Sequence, residues 1–294
     1  MNTADLRCPF YPEPVRTPMQ FFDRKEETRE ALELLCQRQN ISVEGPAKTG
    51  KTSFLLHVAH PQVRAHYGLA EEQVFVHLDS RSLAGHDQSQ CYLAISEEIV
   101  RQARSTESVG EAIGIALEKA AREAGSEPAY LRLRTLCQAA QDNGLKLVLV
   151  LDDFEFLADR FRSEYRFFSA LRALFTNYQV AYLIASQLPL HALEQTIPEA
   201  SPFFNYFHPI ILKSLTAEES REMVVTLLGR AGVELPRFSV DCILELGKGE
   251  PYRLKKALHI AFKVWQDSQG QLKTKHCEEI KKRFGENERH TESS

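Results

Sequence analysis

Apolar positions along this chain change period several times, and each change marks an element. Over residues 24–36, Thr28, Ala31, Leu32 and Leu35 recur at three- and four-residue intervals, which predicts an amphipathic helix. A short buried strand follows over 41–43, then a Gly-rich turn and a second helix over 52–59. Residues 74–78 predict another strand. Tyr92, Ile95, Ile99 and Ala103 share one helical face, the polar stretch 104–110 breaks the pattern, and Leu133, Leu136, Cys137 and Ala140 mark a further helix. Residues 147–151 are an uninterrupted aliphatic run, as expected of a strand covered on both faces in a parallel sheet. Phe161, Tyr165, Phe168, Leu171 and Phe175 predict a single aromatic helix face packed on that sheet. Strands over 180–185 and 209–212 bring the total to five. Strands alternating with helices predict an α/β fold with a parallel sheet.

After Leu215 the strands stop. Thr216-Ala217-Glu218-Glu219 reads as a capping box. The helix behind it turns Val224, Leu227, Leu228 and Ala231 inward and ends near 229–232. Another helix follows Phe238, and Leu254, Ala257, Leu258, Ala261 and Trp265 line one more. The pattern divides the chain into a Pro-rich irregular segment (1–23), a core (24–214), a small all-helical domain (215–284) and a polar tail (285–294) expected to be disordered.

Composition narrows the function classes. With 294 residues, 43% hydrophobic and 26% charged, the chain has the make-up of a globular protein with room for about two domains. The net charge of −4 argues against a broad, sequence-blind nucleic-acid surface, which needs a surplus of Lys and Arg, and leaves room for a local basic patch. No run of about 18 apolar residues is present to span a bilayer, and residues 1–16 have no signal-peptide core. The six cysteines form no CxxC and no zinc-ligand spacing, so they read as reduced thiols of a cytoplasmic protein. The adjacent His276-Cys277 reads as surface.

The chemistry sits in two stretches. Gly45-Pro46-Ala47-Lys48-Thr49-Gly50-Lys51-Thr52 fits G-x-x-x-x-G-K-[ST] at every fixed position. The glycines let the backbone curl so that N–H groups point at phosphate oxygens. Lys51 reaches the β- and γ-phosphates, Thr52 offers a hydroxyl to Mg²⁺, and the helix opening there contributes its positive end. A strand precedes the motif and a helix follows it, as this chemistry requires. The second stretch is Asp152-Asp153 at the end of the aliphatic run, where open α/β sheets bind ligands. Asp152 is the candidate Mg²⁺ residue. Asp153 is the candidate base that orients the attacking water, with Glu155 as the second candidate; an acidic pair in this position also suits a helix N-cap. Together the stretches point to ATP with Mg²⁺, in preference to GTP, since no Asn-Lys-x-Asp guanine reader is present.

These residues resemble the AAA-like ATPases of the STAND class, relatives of AAA+ proteins, over about 14–258. Phe21-Phe22-Asp23-Arg24-Lys25-Glu26-Glu27 is similar to that family's F-x-G-R-x-x-E segment, which lies against the base. The stretch from Ser42 through Ser53 is similar to its phosphate loop, and Leu151-Asp152-Asp153-Phe154-Glu155 to its L-D-E-F-E strand end. Ala185-Ser186-Gln187 occupies its sensor position, Ser201-Pro202-Phe203-Phe204-Asn205 precedes the fifth strand as in relatives, and Gly249-Glu250-Pro251-Tyr252 looks like its G-x-P motif, whose proline packs on adenine. The resemblance implies a P-loop NTPase fold of the ASCE/AAA+-like type: a five-stranded parallel sheet sandwiched by helices, followed by a helical lid. It implies base contacts from Arg24 and Pro251, a sensor at Ser186, and ATP held between sheet domain and lid. Three departures stand out: Asp23 for Gly, Asp153 for Glu, and Gln187 for Arg. They imply slow intrinsic turnover, with a charge supplied in trans by a homo-oligomer or a protein partner; Arg160, Arg162, Arg166 and Arg172 are the candidates for it.

The favoured function is a switch ATPase that couples Mg-ATP binding and slow hydrolysis to lid movement, oligomerisation or partner signalling. A DNA loader is the less favoured alternative, resting on Lys273, Lys275, His276, Lys281, Lys282 and Arg283. A module that binds nucleotide with little hydrolysis is another, and a small-molecule kinase ranks last because no Arg-rich lid is evident. About one helix follows Trp265, so the chain is expected to be a switch module alone or a piece of a longer protein.

Overall fold

A computed structural model describes residues 8–11, 13–68, 73–106, 111–197 and 202–292. The chain divides into two compact units. One comprises Arg24–Pro46 and Lys51–Leu212; the other gathers Met1–Asp23, Ala47–Gly50 and Lys213–Ser294.

The first unit is built on five parallel strands: β1 (Asn40–Glu44), β2 (Gln73–Asp79), β3 (Lys146–Asp152), β4 (Val180–Ser186) and β5 (Phe207–Ile211). Their order is β2-β3-β4-β1-β5. All five residues of β1 and all seven of β4 are buried, which is why their sequences lack polar alternation. The order places β4 between the strand that leads into Gly45 and the strand that ends at Asp152. Register pairs Glu44 with Ser186, and Asp79 with Asp152, so the strand ends carrying the chemistry lie in one row.

Helices flank the sheet: α1 (Lys25–Cys36), α2 (Lys51–Ala59), α3 (Pro61–His66), α4 (Ser80–Leu83), α5 (Gln88–Ser105), α6 (Glu111–Glu123), α7 (Ala129–Asp142), α8 (Phe154–Arg160), α9 (Tyr165–Asn177) and α10 (Leu190–Glu194). The predicted α1 face, Thr28, Ala31, Leu32 and Leu35, is the buried one. The aromatic segment differs from expectation. It is two helices, α8 and α9, because the chain turns at Phe161, whose ring stacks 3.9 Å from that of Phe167. Among its described residues α9 buries Phe167, Phe168, Leu171 and Leu174. α6 adds a helix beyond the elements expected from the sequence; it buries Gly114 and Leu117. Part of the predicted polar break, 107–110, and Ser201 lie outside the described residues.

The second unit is helical: α11 (Ala217–Ala231), α12 (Arg237–Gly247), α13 (Pro251–Asp267) and α14 (His276–Glu292). The capping box forms as read, with Glu219 N–H donating to Thr216 Oγ1 and Thr216 N–H to Glu219 Oε2, and Gly232 ends α11 in the left-handed conformation. Two expectations are corrected. The polar tail is not disordered through 285–292, because α14 continues to Glu292, anchored by buried Ile280 and Phe284 one turn apart. Cys277 is half-buried rather than on the surface, its thiol donating to Phe238 O.

The N-terminal segment packs into this same unit. Phe10 is 2% exposed and meets Phe262 edge-on at 5.7 Å, Cys8 Sγ lies 3.2 Å from His259 Nδ1, and Lys255 Nζ donates to Glu13 O at 2.9 Å. Gly249 is fixed by geometry. Its φ is +77°, its carbonyl accepts from Leu215 N–H at 2.8 Å, and any Cβ there would strike Leu215 O.

Candidate functional site

β1 delivers the chain to Gly45 fully buried, and the backbone then turns through residues that need unusual angles: Gly45 at φ 157°, Lys48 at φ 68° and Gly50 at φ 94°. Gly45 N–H donates to Ser186 O at 3.3 Å, which ties the start of the loop to the tip of β4. α2 begins at Lys51, so the loop runs directly into a helix N-terminus, the anion-binding end.

Lys51 is 7% exposed, and its Nζ donates to Gly45 O at 2.8 Å and Pro46 O at 2.9 Å. The ammonium thus sits inside the curl of its own loop, with two carbonyl oxygens where phosphate oxygens would compete. Burial lowers the pKa of Lys51, opposed first by Glu155, then by Asp153 and Asp152. Three carboxylates therefore converge electrostatically on one buried cation.

Asp152 closes β3 and hydrogen-bonds the Thr52 hydroxyl; burial raises its pKa, while that bond and the Asp153 N–H, 3.0 Å from Oδ1, act in the opposite direction. The predicted metal pair is therefore in contact, and its donors are a hydroxyl and a carboxylate, the hard oxygens that Mg²⁺ takes beside phosphate and water. Asp153 starts α8 at φ 49°, and its Oδ2 accepts from Arg81 Nε at 2.8 Å. Both carboxylate oxygens of Glu155 are buried with no hydrogen-bond partner among the described residues.

Ser186 is fully buried at the end of β4, and its Oγ accepts from Leu188 N–H at 3.3 Å. Gln187 is exposed. Pro46, Ala47 and Lys48 are exposed while Thr49 is buried. Asp23 and Arg24 both take left-handed angles, φ 59° and 62°, so Asp23 keeps the conformation that the Gly of the resemblance would supply. Arg24 caps α1 and pairs with Glu27 at 3.1 Å.

In the helical unit, Pro251 opens α13 at its first turn, the position where a missing N–H costs nothing. The neighbouring Tyr252 ring lies 5.7 Å from Lys48 Nζ. Among the arginines considered for a trans role, Arg160 pairs with Glu164 at 3.0 Å and Arg162 with Asp159 at 3.7 Å, whereas Arg166 is exposed. Within the basic run 273–283, Lys281 pairs with Glu245 at 2.8 Å and Arg283 with Asp267 at 2.9 Å. Among the described residues no helix is long and apolar enough to cross a membrane.

Two residues at this site escape a reading of the sequence. Arg81 stands two positions past the end of β2, and only the β2–β3 pairing reveals that it faces Asp153. Glu44, 7% exposed, accepts from Ser42 Oγ at 2.8 Å and Leu190 N–H at 3.1 Å. It thereby holds the segment after β4 against the strand that feeds the phosphate loop. The signal available for both was polarity at the carboxyl ends of strands.

Solved structures share this architecture. The Walker-type ATPase PABY2304 of Pyrococcus abyssi is 17% identical, with 97% of this chain and 80% of that one covered at a TM-score of 0.62. The ORC2 protein of Aeropyrum pernix is 16% identical, with 95% and 72% covered at 0.67. Domain III of the replication initiation protein DnaA of Thermotoga maritima is 14% identical, with 92% and 98% covered at 0.56. At such identities the likeness establishes the P-loop NTPase fold alone. Among curated proteins none matches the chain. At the level of sequence, residues 15–288 match the family described as novel STAND NTPase 1. That span holds the phosphate loop, the acidic strand end and the helical unit through most of α14, and the chain belongs to the novel STAND NTPase 1 family.

Proposed function

We propose that this protein binds ATP with Mg²⁺ at the loop Gly45–Thr52 and hydrolyses it slowly, as a switch whose state is read by a partner protein or a second copy of the chain. The observation that carries the reading is the cluster of Lys51, Thr52 and Asp152: a buried ammonium inside a loop of turned backbone, beside a hydroxyl–carboxylate pair. Thr52 and Asp152 would hold the metal, which neutralises charge on the transferred phosphoryl group. Lys51 would exchange its two loop carbonyls for phosphate oxygens. Asp153 would accept the proton of the attacking water once released from Arg81. Glu155, first among the anions acting on Lys51, balances the ammonium. Ser186 is the candidate sensor. Arg24 and Pro251 are the candidate base contacts, resting on the resemblance alone, and cytoplasmic residence is proposed in keeping with the free cysteines.

Isothermal titration with a non-hydrolysable ATP analogue tests this. Lys51→Ala is expected to weaken binding at least about tenfold, the scale of a lost charge-assisted contact, while circular dichroism remains unchanged. Unaltered affinity would reject the site. GTP is expected to compete poorly against labelled ATP, and equal displacement would reject the adenine preference.

A further inference from the structure

α5, α6 and α7 fall between β2 and β3 in the chain and enclose a cleft of about 620 Å³. That size lies within the range of small-molecule sites, and no residue of the phosphate site lines it. Val100, Ala121 and Leu136 supply apolar surface.

The charges around the cleft are unequal in their partners. Arg101 is satisfied by Glu98, with Nε 2.7 Å from Oε2 and a second contact of 2.5 Å to Oε1. Arg104 lies 2.8 Å from Glu118 Oε1. Those four charges cancel. Glu97 is exposed at the rim. Arg132 differs: it lines the cleft, yet its Nε is buried and has no hydrogen-bond partner among the described residues. A buried N–H without an acceptor is rare in folded proteins, and a guanidinium presents its donors as a fork that matches a carboxylate.

We propose that this cleft binds a small organic anion, a carboxylate-bearing molecule with an apolar body. Its carboxylate accepts from the Arg132 guanidinium, and its apolar part covers Val100, Ala121 and Leu136. A single carboxylate suits the one buried donor of the lining that has no acceptor among the described residues, Arg132 Nε. A doubly charged phosphate ester would place excess charge beside Glu118 and Glu97.

Titration of the full chain with octanoate tests the site, with octanamide as the uncharged analogue and octyl phosphate as the dianion. One octanoate is expected per chain, with octanamide and octyl phosphate each at least about tenfold weaker. Arg132→Gln is expected to remove at least about tenfold in octanoate affinity and Arg132→Lys less, because the charge persists without the fork. Ala121→Trp, which fills the apolar floor without touching a charge, is expected to abolish binding of all three. Absence of saturable octanoate binding, equal affinity for octanamide, or undiminished binding by Arg132→Gln would each overturn the proposal. Tighter binding of octyl phosphate would overturn the carboxylate assignment. If Arg132→Gln fails to fold, Arg132→Lys and Ala121→Trp decide the question.

Discussion

Arg81 Nε donates to Asp153 Oδ2 at 2.8 Å, so the carboxylate that follows the candidate metal residue is already engaged by a cation from the neighbouring strand end. The arginine is more than half exposed, and its guanidinium also lies 5.0 Å from the Phe156 ring. An ion pair this open contributes about 0–1 kcal/mol, so it can hold the carboxylate without locking it. Arg81→Ala is expected to raise ATP turnover by no more than about fivefold, the rate equivalent of that energy. Asp153→Asn is expected to lower turnover at least about tenfold with binding nearly intact. Steady-state assays of both variants check the pair. A fall in turnover with Arg81→Ala would mean that the arginine positions the carboxylate rather than restraining it.

Gln187, exposed just beyond β4, presents a neutral amide where the resemblance leads one to expect a guanidinium. Charge on a transferring phosphoryl group spreads over three oxygens, and a missing cation there slows the step. Turnover per chain is expected to lie below the enzyme median of about 10 s⁻¹ and to rise with protein concentration. Rapid turnover that stays constant at monomeric dilution would show that the site is complete in one subunit.

Gly249→Ala is expected to destabilise the helical unit by about 2 kcal/mol or more, because the new methyl meets Leu215 O at a left-handed backbone angle. Gly229→Ala is the matched control: nothing lies within 4 Å of a Cβ there, so it should be neutral or stabilising by up to about 1 kcal/mol. Urea midpoints of the two variants provide the comparison.

Burial, helped by His60, pushes the His57 pKa down to about 4, and burial also lowers those of His77 and His259. Each imidazole is therefore harder to protonate in the folded chain than in the unfolded one. The unfolded state binds more protons as pH falls, so stability is full above about 6.5 and declines from there toward 4. Unfolding midpoints across this window should fall with pH, and His57→Gln should flatten part of the slope. A midpoint unchanged down to pH 4.5 would contradict the burial of these rings.

Most of the sheet was legible because a strand buried on both faces writes itself as an aliphatic run, as in 147–151. Lys51, Thr52 and Asp152 were legible because phosphate and metal chemistry tolerates few residue types at those positions. The remainder depended on contacts between distant segments. The break at Phe161 follows from its stacking on Phe167, which no helical period records. α6 buries only Gly114 and Leu117, a small buried set for a helix of 13 residues. The helical continuation through 285–292 was hidden because two anchors, Ile280 and Phe284, hold a segment whose composition is otherwise that of a solvated tail. The Arg81–Asp153 contact requires strand register, and the burial of Glu155 requires the turn before it.

The docking of Phe10 on Phe262 has a consequence for biogenesis. A ribosome releases Cys8, Phe10 and Glu13 more than two hundred residues before the α13 side chains that receive them. The sheet unit can form in the interval, while the early segment waits with its aromatic ring in water. Completion of the helical unit is thus a late event that joins segments far apart in the polypeptide. A nascent chain stalled before α13 would expose that unmatched segment to chaperones and proteases.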